Sequence, residues 1–245
     1  DFISGVSHEL RTPLAQIRMF AELEETGMLR TPEERRRATR IINREAQRLT
    51  HLVENVLRFS GLRRAPPGDS VHREHVDVAS AIDEVVVGFQ PLSRQRNTAI
   101  RTEVEPGVAT TAQRGAVNQI VVNLLDNAMK YGPAGQTVTV SAYRRDGNVA
   151  LVVEDEGPGI PARDRRRIWE PYRRLERDVD AKRPGTGIGL AVVAELAALH
   201  GGRAWVEDAA GGGARFVVEL PAAEEAPSAT RPEAVEPAAL SKAHA

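Results

Sequence analysis

The stretch Ser7-His8-Glu9-Leu10-Arg11-Thr12-Pro13-Leu14 decides how the beginning of the chain folds. Apolar residues recur at alternating steps of three and four across positions 3–20, which is the pattern of one helix face. His8 is expected on the side away from Leu10, because two residues turn a helix by about 200°. Pro13 lacks the N–H for the carbonyl four residues earlier, so we expect the helix to bend there. The stretch therefore predicts a kinked helix with an exposed histidine, whose imidazole offers a nucleophilic nitrogen near neutral pH.

Two other interpretations of this histidine compete with a chemical role. A surface histidine without function fits the stretch equally well when it is taken alone. A zinc-protease helix would need a second histidine at position 12, where the chain has Thr12. The remainder of the chain therefore has to decide what His8 does.

Composition excludes several classes of protein. The chain has 245 residues, of which 41% are hydrophobic, enough for one or two domains with a core. The formal net charge of −1 provides no basic field, so we expect no nucleic-acid partner. The absence of cysteine excludes disulfides, thiolate catalysis and cysteine-bound zinc, and it fits a reducing compartment. No apolar run is long enough to span a bilayer, so no membrane contact is expected within this chain.

A second helix is predicted directly after the first. Gly27 should end the first helix, and Thr31, Pro32 and Glu34 form an N-cap, a first helical position and a capping box. Gly61 should end the second helix. Two helices joined by a short turn form a hairpin that is too small to hold a core alone, which predicts a second copy and a four-helix bundle.

The chain divides into four parts by pattern. They are the helical hairpin at residues 1–62, a linker at 63–75, a mixed α/β domain at 76–221, and a disordered tail at 222–245 that is rich in Ala, Pro and Glu. The α/β part predicts helices at Ala79–Arg94, Gly115–Tyr131 and Leu190–His200, and strands at Ala99–Val104, Thr137–Arg145, Asn148–Glu154, Arg203–Glu207 and Ala214–Leu220.

The helix at Gly115–Tyr131 has an unusual polar side. Asn123, Asn127, Lys130 and Tyr131 share the side opposite the apolar residues. Amide oxygens bind hard cations and a lysine binds phosphate oxygens, so this side suits a metal–phosphate group. A solvated helix face is the alternative, although such faces usually carry Glu and Lys, and asparagine is a poor helix former.

Two glycine-rich segments follow in the α/β part. Asp155-Glu156-Gly157-Pro158-Gly159 places a carboxylate after a strand, beside backbone that a flat ligand can approach closely. Gly185-Thr186-Gly187-Ile188-Gly189-Leu190 opens a helix whose N–H groups suit an anion. It is neither a dinucleotide fingerprint nor a P-loop. The arginine-rich stretch Arg163–Arg183 between them could clamp phosphates, and it also fits a mobile surface loop; the two interpretations are compatible.

The motifs together resemble the catalytic core of bacterial two-component sensor histidine kinases. Ser7–Leu14 resembles the phosphoacceptor motif, Asn123–Tyr131 the asparagine motif, and Asp155–Gly159 and Gly185–Leu190 the two glycine motifs. Each glycine motif is weak alone, but four motifs in the family's order are very specific. The resemblance covers residues 1–221. It implies a multi-domain fold in which an all-α hairpin forms a dimeric four-helix bundle, followed by an α/β two-layer sandwich that binds ATP.

The resemblance also implies roles for single residues. His8 would receive the γ-phosphoryl group of ATP, Glu9 would act as general base, and Thr12 would position water for regulator dephosphorylation. Asn127 would hold Mg²⁺, and Asp155 would accept a hydrogen bond from the adenine amino group.

Further residues would surround the nucleotide. They are Asn123, Lys130 and Tyr131 beside the cation, Gly157 and Gly159 at the base, Arg174 at the γ-phosphate, and Gly185, Thr186, Gly187, Gly189 and Leu190 along the phosphates. The family's phenylalanine motif is replaced by Trp169-Glu170-Pro171-Tyr172, and Arg173 is an alternative to Arg174.

The implied function is autophosphorylation on His8 and transfer to an aspartate of a response-regulator receiver domain. A nucleotide-binding phosphatase or scaffold without autokinase activity is one alternative. An ATP-driven clamp or serine kinase of the same superfamily is another. Because Asp1 begins inside a helical pattern, we interpret the chain as a fragment whose N-terminal part has been removed. The resemblance implies that this fragment is cytoplasmic and that the full-length protein is anchored in the inner membrane.

Overall fold

The computed structural model describes residues 2–62, 73–175, 177–178 and 187–223. For residues 2–9, 12, 47–48, 51–52 and 54–62 the description is limited to the backbone. No helix among the described residues is long and apolar enough to cross a membrane.

The first two helices form the predicted hairpin. Helix α1 spans Phe2–Glu25 and helix α2 spans Pro32–Leu62. The capping box is confirmed, because the Glu34 N–H donates to Thr31 Oγ1 over 3.1 Å and the Thr31 N–H donates to the Glu34 carboxylate over 3.1 Å. Gly27 has a φ of 67°, so the chain leaves α1 through a left-handed residue as expected.

The seam of the hairpin contains a carboxylate that its apolar pattern did not explain. Glu45 is buried on α2, and Arg44 contacts its Oε1 at 3.0 Å. Burying a charge without such a partner would be costly. Leu10 of α1 packs against the main core of the α/β part.

The α/β part contains three α-helices and seven strands among its described residues. They are β1 (Glu74–Asp77), α3 (Val78–Arg96), β2 (Ala99–Val104), β3 (Ala109–Ala112), α4 (Arg114–Tyr131), β4 (Thr137–Arg145), β5 (Asn148–Glu154), α5 (Gly189–Leu199), β6 (Arg203–Asp208) and β7 (Ala214–Pro221), with a short 3₁₀ helix at Arg167–Trp169.

Five strands form one mixed sheet in the order β2-β4-β5-β7-β6. Strands β2 and β4 are parallel and the other neighbours are antiparallel. Asp146 and Gly147 both have positive φ angles, 49° and 76°, as the predicted two-residue hairpin turn requires. Helices α3, α4 and α5 supply the large apolar residues that bury one face of this sheet. This arrangement is the two-layer sandwich expected from the sequence.

Two short strands escaped prediction and change the predicted boundaries. Strand β1 pairs antiparallel with β3, so residues 74–75 belong to the domain and not to the linker. At the other end, Ala222 bridges Thr110 and the Ala223 N–H donates to the carbonyl of Ala109, so the domain continues past residue 221. Residues 63–72 and 224–245 lie outside the described part, where the linker and tail remain predictions.

The second face of the sheet is covered by its own side chains. A small apolar strip of Ala150, Val152 and Val217 lies beneath Tyr143 and Trp205. Arg215 crosses this face through Glu207 at 2.9 Å, Glu154 at 3.1 Å and the Tyr143 hydroxyl at 3.0 Å. The ion pairs and aromatic rings thus shield the apolar strip on the side that carries no helices.

Because of His200, we expect the domain to be less stable against unfolding in acid. The histidine follows α5, is completely buried, and its Nδ1 lies 2.8 Å from the carbonyl oxygen of Leu196. Burial lowers the pKa of His200 below its ordinary 6.5, the bond to Leu196 opposes this change, and the charge of Arg73 adds to it.

Because the unfolded chain binds this proton more readily, stability should be lost as pH falls below about 6.5. We expect the urea midpoint of unfolding to decrease between pH 7 and pH 5. The decrease should be smaller in His200→Gln than in the parent protein. Equal pH slopes for both proteins would contradict this assignment.

Candidate functional site

One cavity gathers residues from both glycine motifs, α4 and the arginine-rich segment. Its lining residues are Asn123, Asp126, Asn127, Lys130, Tyr131, Asp155, Pro158, Gly159, Ile160, Ile168, Arg173, Arg174, Leu175, Arg177, Asp178, Gly187, Gly189, Leu190, Ala214 and Phe216. The cavity therefore brings together most of the nucleotide-site residues expected from the sequence.

Helix α4 provides the polar side of the cavity. Asn123 lines the cavity together with Asn127 and Lys130, as its spacing predicts. It is buried and donates through Nδ2 to the carbonyl of Gln119 at 3.0 Å, so the alternative of a solvated helix face does not apply to it. Helix α5 packs closely against Asn123, because a Cβ on Gly189 would lie only 3.2 Å from Asn123 Oδ1. Lys130 pairs with Asp126 one turn earlier on α4. The amide and ammonium groups thus share the cavity, with Lys130 partly neutralised.

Asp155 forms the other pole of the cavity, directly after β5. Its side chain accepts hydrogen bonds at Oδ1 from the N–H of Gly157 at 2.7 Å and the N–H of Ala214 at 3.1 Å. Burial raises the pKa of Asp155, while these two N–H groups and the charge of Arg177 oppose the increase. Oδ1 is occupied by backbone donors, which orients the carboxylate.

Tight backbone packing holds this pole in place. Gly213 has a φ of 91°, and a Cβ on it would collide with the carbonyl of Asp155. A Cβ on Gly159 would lie 3.1 Å from the Gly213 carbonyl oxygen. The turn between β6 and β7 and the first glycine motif therefore need glycine where they meet.

The arginine-rich segment is tied to the same loop. Arg177 donates to the carbonyls of Pro158 and Gly159. Arg174 lines the cavity and donates through Nη2 to the carbonyl of Asp178 at 3.1 Å. Arg173 also lines the cavity, with its Nε 2.8 Å from Glu170, so both candidates for the γ-phosphate contact are present.

Aromatic residues anchor the beginning of this segment. Trp169 packs edge-on against Phe216, with ring centroids 6.1 Å apart. The N–H of Tyr172 donates to the carbonyl of Gly187 at 2.9 Å, and a Cβ on Gly187 would lie 2.9 Å from the Arg173 carbonyl oxygen. The aromatic replacements in this motif thus contact the core and the second glycine motif. Gly185 and Thr186 lie outside the described residues.

The three predicted catalytic residues His8, Glu9 and Thr12 occupy α1. Their side chains lie outside the described part of the chain, so their geometry remains a prediction. Gly157 contributes its N–H to Asp155 and is not itself a lining residue.

Several lining residues were missed by sequence reasoning. Ala214 and Phe216 come from β7, and no local pattern in the sequence points from an alanine or a core phenylalanine to a ligand. Arg177 and Asp178 lay within a segment without periodicity. Asp126 carried a usable signal, because a carboxylate four residues before Lys130 predicts a pair on a helix.

Family descriptions match the two parts of the chain separately. Residues 1–64 match the His Kinase A (phospho-acceptor) domain. Residues 112–224 match the histidine kinase-, DNA gyrase B-, and HSP90-like ATPase family.

Individual relatives agree with this assignment. The chain is 30% identical over 224 residues to the sensor-like histidine kinase SenX3 of Mycolicibacterium smegmatis, covering 90% of this chain and 57% of the relative. It is 32% identical over 221 residues to the sensor protein RstB of Escherichia coli, covering 90% of this chain and 48% of the relative. The chain therefore spans about half the length of these relatives.

Solved structures show the same fold. Full-length ShkA in complex with AMPPNP has a TM-score of 0.66 and 31% identity, covering 92% of this chain and 46% of that chain. The mycobacterial sensor histidine kinase MprB has a TM-score of 0.53 and 32% identity, covering 61% of this chain and 97% of that one. With a phosphoacceptor domain followed by an ATPase-like domain that carries the cavity, the chain belongs to the histidine kinase family.

Proposed function

We propose that this protein binds Mg-ATP in the described cavity, autophosphorylates His8, and passes the phosphoryl group to an aspartate of a response-regulator receiver domain. The observation that carries the proposal is that Asp155 and the polar residues of α4 line the same cavity. Family membership and the presence of His8, Glu9, Asn127 and Asp155 support it.

Adenine recognition is assigned to Asp155. The carboxylate is 6% exposed, and its Oδ1 is engaged by two backbone N–H groups, which leaves Oδ2 to accept the amino hydrogen bond of adenine. Guanine presents a carbonyl at that ring position, and a carboxylate would repel it. Gly159 and Ile160 line the cavity beside it and suit the flat face of a base. This arrangement favours ATP over GTP.

The phosphates are assigned to the α4 side. Asn127 lines the cavity with an amide oxygen, a hard donor of the kind that Mg²⁺ accepts alongside waters and phosphate oxygens. No cluster of three His, Asp or Glu occurs among the described residues, so the nucleotide's own phosphates would supply further ligands. Mg²⁺ held there by Asn127 would neutralise charge on the transferring phosphoryl group. Arg174 or Arg173 would contact the γ-phosphate, and the glycines at 185–189 would follow the chain of phosphates.

The transfer step needs alignment more than covalent help from other residues. An imidazole nitrogen of His8 attacks the γ-phosphorus, an N–P bond forms, and the bond to the β-phosphate oxygen breaks to release ADP. Glu9 takes the imidazole proton as general base. The phosphohistidine then loses its phosphoryl group to the regulator's aspartate carboxylate. Thr12 would position water for the later dephosphorylation of the regulator.

A homodimer is supported by the surface of the hairpin. Leu14 and Met19 are 58% and 48% exposed on α1, although they are large apolar side chains. Packing two hairpins into a four-helix bundle would cover such residues and supply the core that one hairpin lacks. We further propose that this part of the protein lies in the cytoplasm and that the full-length protein is anchored in the inner membrane.

Gly213 offers a test of how adenine recognition is built. Gly213→Ala should weaken ATP binding about tenfold, because the added Cβ collides with the Asp155 carbonyl and strains a φ of 91°. Gly211→Ala is the matched control, because that glycine has no atom near its Cβ position. Binding can be measured by titration calorimetry. Equal affinities for the two variants would contradict the role of this turn.

The proposal as a whole is tested with γ-labelled Mg-ATP. The protein should acquire label that is lost in acid and stable in alkali, as expected for a nitrogen–phosphorus bond. Label of the opposite stability would indicate a serine or threonine acceptor. If nucleotide binds without labelling, the phosphatase or scaffold alternative replaces the kinase, and dephosphorylation of a receiver domain becomes the decisive assay.

A further inference from the structure

A buried amide joins the two poles of the cavity. Gln136 lies between α4 and β4 and is only 2% exposed. Its Nε2 donates to the carbonyl of Ala128 on α4 at 2.8 Å, and its Oε1 accepts from the N–H of Glu156 at 3.1 Å. One side chain thus connects the C-terminal turn of α4 to the residue after Asp155.

The backbone packs closely around Gln136 and its two partners. A Cβ on Gly132 would collide with the Gln136 amide, so the end of α4 must carry glycine for the bridge to form. A Cβ on Gly157 would lie 3.4 Å from the Cα of Gly132, which shows how closely the first glycine motif approaches α4. The Gln136 backbone is fixed as well, because its carbonyl accepts from the Ala99 N–H at 2.9 Å.

Both amide atoms of Gln136 have defined partners at different parts of the site. Ala128 lies next to Asn127, the residue assigned to the cation. Glu156 lies next to Asp155, the residue assigned to adenine. A buried hydrogen-bonded amide holds such neighbours rigidly, because releasing either one would leave an unpaired buried polar group.

We infer that Gln136 is a positioning residue for nucleotide specificity, which sets the place of the Asp155 carboxylate relative to the phosphate-binding side of α4. The inference rests on the proposed role of Asp155 in adenine recognition. Gln136 itself contacts the loop and the helix, and it acts on the ligand only through them.

The test compares three ligands on the full chain by titration calorimetry: Mg-ATP, Mg-GTP and Mg-tripolyphosphate. Gln136→Met keeps the length of the side chain and removes both hydrogen bonds. We expect its dissociation constant for ATP to rise about tenfold, or about 1.4 kcal/mol. The constants for GTP and tripolyphosphate should change less than about twofold, because neither ligand uses the adenine contact.

Gln113→Met is the matched control for the same chemical change. Gln113 precedes α4, is exposed, and makes no side-chain capping bond. Its ATP-to-GTP ratio should equal that of the parent. A second measurement needs no nucleotide: the Glu156 amide proton should exchange with solvent faster in Gln136→Met than in Gln113→Met.

Two outcomes overturn the inference. One is an unchanged ratio of ATP affinity to GTP affinity in Gln136→Met. The other is an equal loss of affinity for all three ligands, which would indicate general destabilisation. If Gln136→Met does not fold, Gln136→Glu keeps an acceptor for the Glu156 N–H but loses the donor to the Ala128 carbonyl, so the bridge to α4 is broken. A ratio at the parent's level would then overturn the inference.

Failure of the proposed function has a different signature. Asp155→Asn in the parent protein would then leave the ATP-to-GTP ratio unchanged. An altered ratio in Asp155→Asn with a parental ratio in Gln136→Met would overturn only the positioning role.

Discussion

His8→Gln is expected to reduce phosphoryl incorporation from Mg-ATP to background while leaving the affinity for ATP unchanged. Glutamine retains polarity and helix propensity but has no nucleophilic nitrogen. The described cavity is built by the α/β part, whereas residue 8 is on α1. The variant should therefore lose phosphoryl transfer but keep ATP binding. Labelling measures the first property and titration calorimetry measures the second.

Arg18→Gln is the matched control, because it makes the same kind of change on the same helix. Arg18 is exposed, and its ion pair with Glu22 lies one turn along α1, where such pairs contribute little. Its labelling should match that of the parent. Acid-labile label that persists in His8→Gln would identify another of the six histidines as the acceptor. His200 would be an unsuitable acceptor because it is completely buried.

The elements with strong local signals were predictable. Strands β2, β4 and β5 have the predicted bounds, and the turn between β4 and β5 follows from the preference of Asp146-Gly147 for positive φ. The start of α2 follows from the reciprocal hydrogen bonds of Thr31 and Glu34. In each case the deciding interactions lie within a few residues along the chain.

The elements that were missed depend on distant partners. Strands β1 and β3 have four residues each, are separated in sequence by α3 and β2, and are defined by pairing with each other. The spacing of Asn123 correctly predicted its place beside the other polar residues of α4, but its burial close to Gly189 of α5 could not be predicted from that spacing. The contacts of Ala214 and Gln136 with the loop at residues 155–156 use backbone groups or a single amide, for which sequence offers no pattern.

Asp155→Asn is expected to weaken ATP binding by roughly 10- to 100-fold, the range of a hydrogen bond to a charged group of about 1.5–3 kcal/mol. The asparagine Oδ1 can still accept from the N–H groups of Gly157 and Ala214, so the loop should keep its shape. Its Nδ2 would then face the adenine amino group, donor against donor. The affinity for GTP should decrease much less, or increase, because Nδ2 can donate to the guanine carbonyl.

Asp126→Asn is the control that makes the same change in the same cavity. Asp126 lines the cavity from α4, where it pairs with Lys130, whereas Asp155 follows β5. We expect Asp126→Asn to alter ATP and GTP affinity by similar factors and to leave their ratio near the parental value. If Asp155→Asn retained the parental ratio, adenine would have to be recognised elsewhere in the cavity.

The pH dependence of binding provides an independent test of the same carboxylate. Oδ2 of Asp155 can accept the adenine hydrogen bond only while the carboxylate is ionised, because a proton would otherwise occupy it. ATP affinity should therefore fall as the pH decreases toward the pKa of Asp155. Burial raises the pKa of Asp155 above the ordinary 3.8, and the Gly157 and Ala214 N–H groups and Arg177 only oppose that increase. The loss should therefore begin at a higher pH than for an exposed aspartate, and it should be absent in Asp155→Asn. A parallel acid loss in both proteins would show that another group, such as the nucleotide phosphates, is responsible.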